Sequence, residues 1–256
     1  MFERKTRLSA ISSPVLLLII ALLLWQVADK LFHFNPIVLP SPLEIGQAFI
    51  VNYASILRET GITMLEAVLG FLLGATVAYA LAVLFIHFRP IQEAIYPYAV
   101  ALKSTPLIAL APLLVLWFGN GIASKIVMSA LVAFFPVLVN AITGLTAVDH
   151  ETLDLMKSLS ASRWQTLLKI RIPNSLEYLF ASLKIASSMA VVGAVIGEFT
   201  GSTRGIGHLI NTSSYYLETP LMFAAIISIS VGGILFFGLM GILQHQVVFW
   251  ERETES

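Results

Sequence analysis

The chain has 256 residues and no formal net charge, and it is 57% hydrophobic but only 12% charged. Soluble domains carry about a quarter charged residues, so a soluble fold is excluded, and no basic run is dense enough to serve a nucleic acid. The absence of cysteine removes disulfides, thiolate nucleophiles and cysteine metal sites.

Six apolar stretches follow one another at about 11–32, 61–86, 92–118, 125–146, 174–199 and 220–247. Each is close to the ~20 residues that a helix needs to cross a hydrocarbon core about 30 Å thick. The runs are continuous rather than alternating, and only a helix satisfies its own backbone over such a run in lipid. The expected fold class is an all-α membrane protein of about six transmembrane helices in a lipid bilayer.

Arg4, Lys5 and Arg7 precede the first apolar run, Val15 to Val27, as they would in a signal peptide. No A-x-A cleavage site follows, and Trp25, Asp29, Lys30 and Phe32 make an interfacial edge, so an uncleaved first span is expected. Residues 1–58 then comprise this helix and an outer amphipathic segment, 59–247 a helical core, and 248–256 a tail. With the N-terminus in the cytoplasm, Lys and Arg in the connections divide nine inside against four outside, the outer four being Lys30, Arg58, Lys125 and Arg204. That bias places both termini and the 147–173 loop in the cytoplasm, and 33–60 and 200–219 outside.

The third stretch holds Pro97, Pro106 and Pro112 beside Lys103, Ser104 and Thr105. Proline removes a backbone donor that lipid cannot replace, so this segment is expected to be kinked and partly unwound, either lining a pathway or packing as a bent helix with Lys103 snorkelling. Glu66, Lys184 and Glu198 are the other intramembrane charges. Glu198 precedes a Gly-rich loop, where it serves a gate or bonds that loop structurally. Small residues four apart, at Gly70 and Gly74, Gly193 and Gly197, and Ser228 and Gly232, allow close helix approach within the chain or between two chains.

No catalytic constellation emerges. The five histidines are far apart, so no metal site is expected. The stretch from Gly119 to Lys125 lacks the spacing of a nucleotide-binding loop, and no serine nucleophile motif can be picked out. Gly205 and Gly207 form a G-x-G without the preceding strand of a dinucleotide site, and they are expected to let the loop turn sharply or dip back toward the membrane.

Residues 147–173, AVDHETLDLMKSLSASRWQTLLKIRIP, are too polar and too long for a simple connection. They divide into two short amphipathic helices. Ser162 followed by Gln165 fits a capping box that starts the second. Leu153, Met156 and Leu159 form one apolar face, and Leu167, Leu168 and Ile172 another. Pro173 suits the first turn of the following span and is expected to stop the loop.

This loop resembles the EAA motif of binding-protein-dependent ABC importer permeases, E-A-A-x-x-x-G followed by I-x-L-P. Asp154, Leu155 and Met156 stand at the E-A-A positions, Ser160 at the glycine, and Ile170, Ile172 and Pro173 at the I-x-L-P end. LPSP at Leu39 to Pro42, STPLIALAPLLVLWFGNG from Ser104 to Gly121, and GEFTGSTRGIGHLI from Gly197 to Ile210 are similar to the nitrate, sulfonate and taurine branch, which also includes permeases for thiamine-precursor pyrimidines and riboflavin. Glu66 departs from that pattern, where a basic residue is frequent before the pair matched by Gly70 and Phe71.

The resemblance implies a type I importer permease core at 59–247, working as a homodimer in a bacterial or archaeal cytoplasmic membrane. It implies cytoplasmic ATPase subunits that hold ATP and Mg, no cofactor in this chain, and an extracytoplasmic binding protein at the outer face. The loop would be the coupling helix, with Leu159, Ser160, Ala161, Ser162, Arg163 and Trp164 in contact with the ATPase and Asp154, Ile170 and Pro173 completing the motif. Lys103, Ser104, Thr105, Pro106, Ser187, Ser188 and Glu198 would line the translocation path. The rival reading, an ion-coupled secondary transporter, predicts inverted repeats, and none is visible.

Overall fold

The computed structural model describes residues 3–88, 90–95, 97 and 106–248, with side chains from residue 15 onward except at 107. Lys103, Ser104 and Thr105 therefore lie outside the described residues, as do Arg89, Arg252 and 249–256 of the tail. Every regular element among the described residues is helical: α1 (Glu3–Phe32), α2 (Pro42–His87), α3 (Leu107–Phe118), α4 (Ile122–Thr146), α5 (His150–Ser158), α6 (Arg163–Thr166), α7 (Ile172–Phe199), α8 (Ile206–Tyr215) and α9 (Thr219–Val247). A π-helical turn, Leu167–Arg171, joins α6 to α7. Five of these rods are long and apolar enough to cross a membrane, and α3 adds a shorter apolar helix. Their exposed residues are themselves large and apolar, as at Leu16, Leu23, Leu72, Leu116, Ile234 and Leu235, the reverse of a soluble surface.

Two helices run further than their apolar stretches suggest. The second span does not begin at Gly61 but at Pro42, and its 46 residues amount to about 69 Å at 1.5 Å per residue, far more than a bilayer core. Its start is a capping box: Ser41 Oγ accepts the Glu44 N–H, and Glu44 Oε2 accepts the Ser41 N–H at 2.7 Å, with Pro42 supplying a preset φ in the first turn. Asn52, with φ −109° and ψ 15°, kinks the rod and donates its side-chain amide to the Ala48 carbonyl. Pro173 does lie in the first turn of the following span as expected, but the chain does not break there. The proline is the second residue of α7, and the wider π turn just before it relieves the clash of the ring with the carbonyl four residues back. The helix therefore continues from Arg163 to Phe199.

The chain forms two compact units, one of residues up to Arg58 with Leu209–Ser228, the other of Glu59–His208 with Ile229 onward. In the first, Trp25 meets Phe223 edge to face at 6.3 Å, Leu43 N–H donates to Gln26 Oε1, and Thr219 Oγ1 donates to the Ile37 carbonyl at 2.6 Å.

The second unit is built on α4. Gly70 and Gly74 of α2 bring that backbone against Ser129 and the Ala130 carbonyl, and Gly193 and Gly197 of α7 close on Ser129 and Lys125. Two of the three small-residue pairs thus pack inside the chain, on opposite neighbours of a single helix. Gly232 of α9 faces the Met64 sulfur. Ser129 Oγ, fully buried, donates to the Ala190 carbonyl at 2.9 Å, a hydrogen bond that lipid makes worth keeping. Phe71 and Phe236 meet edge to face at 5.1 Å, and α3 packs Ala111 and Leu114 on Met128.

Candidate functional site: an exposed two-helix loop and a buried polar cluster

The loop is stiff because nearly all its turn chemistry is local. Asp149 caps α5, accepting from Thr152 N–H at 3.1 Å. The helix ends with Ala161 N–H on the Met156 carbonyl and Ser160 N–H on the Lys157 carbonyl, both 2.9 Å, the paired bonds of a Schellman ending. That ending needs a left-handed residue, and Ser160 supplies it at φ +53°. The glycine of the EAA pattern falls at this position, where a Cβ is strained. Two residues later Ser162 caps α6 as expected: its Oγ accepts from Gln165 N–H, and Gln165 Oε1 accepts from Ser162 N–H at 2.7 Å.

The base of the loop is tied down. Arg171 Nη1 donates to the Leu145 carbonyl at 2.7 Å and Asn174 Nδ2 to that of Gly144 at 3.2 Å, satisfying orphan carbonyls at the end of α4. The Trp164 ring lies 4.9 Å from the His87 ring at the end of α2. Leu167 is buried, whereas Leu168 is not. Leu153, Met156 and Ala161 are half-buried, but Leu155, Leu159 and Trp164 stand 58%, 67% and 61% exposed. Ser160, Ser162 and Arg163 are also exposed, while Ile170 and Pro173 are half-buried. Asp154 reaches Lys157 at 2.8 Å, and that ammonium holds its carboxyl below the ordinary range. The three loop residues expected to form an apolar face thus divide, two turning toward the base and Leu159 outward.

A second concentration of polar groups lies where α2, α4 and α7 meet the loop before α8. Glu198 is 1% exposed. Its Oε1 accepts from Thr63 Oγ1 at 2.6 Å and its Oε2 from Gly207 N–H at 2.5 Å. Thr63 Oγ1 in turn accepts from Ile206 N–H at 2.8 Å, and Glu59 Oε2 accepts from Gly205 N–H at 2.6 Å. Three successive donors at the start of α8 are therefore held by side chains, and two of these are carboxylates favoured by the helix dipole. Gly205 turns the loop at φ +95°, and a Cβ there would sit on the Glu198 carboxylate. The G-x-G does turn sharply, and it also clears room for an acid.

Lys125 belongs to this cluster rather than to an outer connection. It lies in the first turn of α4, is fully buried, donates Nζ to the Asn120 carbonyl at 2.7 Å and is electrostatically coupled to Glu66 and Glu198. Glu66 is buried with Oε2 unpaired. No motif in the sequence marks Glu59, Thr63 or Lys125 as part of a cluster. Glu59, Thr63 and Glu66 stand at i, i+4 and i+7, a polar stripe on one face of an apolar helix, and that stripe was the signal available. Of the other path residues, Ser187 is buried with Oγ on the Lys184 carbonyl of its own helix, Ser188 is half-buried, and Pro106 is exposed and non-helical at the start of α3.

Residues 70–248 match the family described as binding-protein-dependent transport system inner membrane component. Among curated relatives, a probable ABC transporter permease protein of Haemophilus influenzae is 38% identical over 91% of this chain and 95% of its own length. The riboflavin transport system permease protein RibX of Chloroflexus aurantiacus is 32% identical over 94% of this chain and 91% of its own. A solved structure of the MetNI methionine ABC transporter in an inward-facing conformation superposes with a TM-score of 0.62 at 15% identity, covering 76% of this chain and 95% of that one, so the fold is that of a type I importer permease. The chain belongs to the binding-protein-dependent ABC permease family, in the branch whose members include riboflavin, formylaminopyrimidine, sulfonate and taurine permeases.

Proposed function

We propose that this permease subunit forms a translocation path in a bacterial or archaeal cytoplasmic membrane and couples it to a cytoplasmic ATPase through the 147–173 loop. The observation that carries the reading is the closure of that loop by its own hydrogen bonds together with its exposure. Its two helices are closed by a Schellman ending and a capping box while Leu155, Leu159 and Trp164 remain uncovered. An element anchored to α2 and α4 at its base and apolar at its tip suits a lever pushed by a partner. ATP and Mg would be held by that partner, and a second copy of this chain would complete the path. An extracytoplasmic binding protein would deliver substrate to the outer loops. The substrate class is a small organic or oxyanion solute, by similarity to relatives named for riboflavin, formylaminopyrimidine, sulfonates and taurine. The α7 segment at Ser187 and Ser188 and the third apolar stretch at Lys103 to Pro106 would line the path. Glu198, whose oxygens are both engaged, would brace its outer end.

Leu159→Asp tests the docking role with little folding cost, because the side chain is already exposed. The variant should insert and purify normally yet lose co-purification with the ATPase and substrate-stimulated ATP hydrolysis. Wild-type assembly and hydrolysis in Leu159→Asp and in Ala161→Asp would refute the coupling role of the loop.

A further inference from the structure

Behind the exposed face of the loop, a cavity of about 380 Å³ opens between α5, α6 and the end of α2, lined by Ile86, His87, Leu153, Lys157, Ala161, Arg163, Thr166, Leu167 and Arg171. Its charge is one-sided. Lys157, Arg163 and Arg171 line it together with an imidazole, and among the described residues no carboxylate does. Asp154, which does not line the cavity, is engaged by Lys157. Arg171 spends one nitrogen on the Leu145 carbonyl and keeps its remaining donors. Among the described residues Arg163 has no carboxylate partner. His87 places Nδ1 on the Val83 carbonyl, which leaves Nε2 for a ligand. A volume of this size is in the range of small-molecule sites, about 300–1,000 Å³.

The depth of the cavity identifies the ligand further. It sits where the apolar α2 ends, at His87, against which the exposed Trp164 ring is tilted at 4.9 Å, and Phe88, next in the chain, is also exposed. Exposed aromatic rings at the end of a crossing helix mark headgroup level. Ile86, Leu153 and Leu167 supply an apolar wall next to the cations, as an amphiphile requires.

We infer that this cavity is a binding site for a phosphate group at the membrane surface, occupied by the headgroup of an anionic phospholipid or by free phosphate. A bound phosphate would bridge Arg163 of the loop to Arg171 at its root and brace the loop against α2. Occupancy does not require the ATPase to dock, so this inference and the coupling role fail independently.

The test uses the full-length chain purified in a neutral detergent, titrated with dioctanoyl phosphatidylglycerol, dioctanoylglycerol or inorganic phosphate while thermal stability is followed. Phosphatidylglycerol should stabilise saturably and dioctanoylglycerol should not. Arg163→Gln should raise the half-saturating concentration about 5- to 10-fold, the effect of one basic contact, whereas Lys169→Gln, basic in the same loop but outside the cavity, should leave it unchanged. Saturation by inorganic phosphate with the same Arg163 dependence would assign the site to free phosphate and uphold it. If neither phosphate ligand saturates, or if Arg163→Gln and Lys169→Gln weaken binding equally, the site does not exist as described.

Discussion

Removing the Glu198 carboxylate should release the loop before α8. In Glu198→Ala, Gly207 N–H loses its buried acceptor and the Thr63 hydroxyl its shorter one, both within 2.6 Å, leaving Thr63 with the Glu59 carbonyl at 3.2 Å. An orphaned buried donor costs about 1–3 kcal/mol, and the sum is partly offset because a carboxylate no longer has to be buried. A net of about 2 kcal/mol corresponds to roughly 30-fold faster opening. Hydrogen exchange followed by mass spectrometry on peptides spanning 200–208 reads this directly, because the donors at 205, 206 and 207 all contribute to the protection. Glu198→Gln should fall between, since an amide oxygen keeps one donor while its NH2 opposes the other. The bond from Gly205 to Glu59 should keep exchange from reaching the unprotected rate. Exchange at 200–208 within twofold of wild type in Glu198→Ala would refute the clamp, and so would a Gln variant as fast as the Ala variant.

Ser160→Gly should stabilise the coupling loop by about 1 kcal/mol by relieving the left-handed backbone at φ +53°, read as slower proteolysis between α5 and α6; Ser160→Val should do the opposite. Gly74→Val drives a side chain into the Ala130 carbonyl and should abolish recovery of folded protein. Gly61→Ala, with nothing within 4 Å, should be neutral or stabilising by about 0.5–1 kcal/mol, as thermal unfolding in detergent would show. Lys157 lowers the Asp154 carboxyl from its ordinary value. The stability contribution of that pair is therefore complete above the unfolded-state value and is lost only as pH falls through the depressed folded value. The protection factors of α5 amides, with the intrinsic pH dependence of exchange divided out, should stay constant from pH 8 to pH 5 and fall only in stronger acid, and a fall already at pH 6 would contradict it.

The residues themselves determined that this is a helical membrane protein with a structured polar loop. Lipid makes backbone satisfaction and span length a matter of consecutive residues, and a capping box such as that of Ser162 and Gln165 closes within three positions. The same locality makes the helix start at Ser41-Pro42-Leu43-Glu44 legible, although the apolar stretch itself begins only at Gly61. The charge cluster was decided by tertiary structure. Thr63 and Glu198 are 135 residues apart, and nothing near either one indicates that the other is its partner. Lys125, beside a Gly-Asn-Gly turn, has the surroundings of a surface lysine until α2 and α7 close over it. Tertiary structure also settled that the Gly70 and Gly193 stripes grip one intervening helix, and that a π turn carries the chain through Pro173. Sequence patterns specify which face of a helix is sticky or close-packing, but the identity of the opposing face is a property of the folded chain.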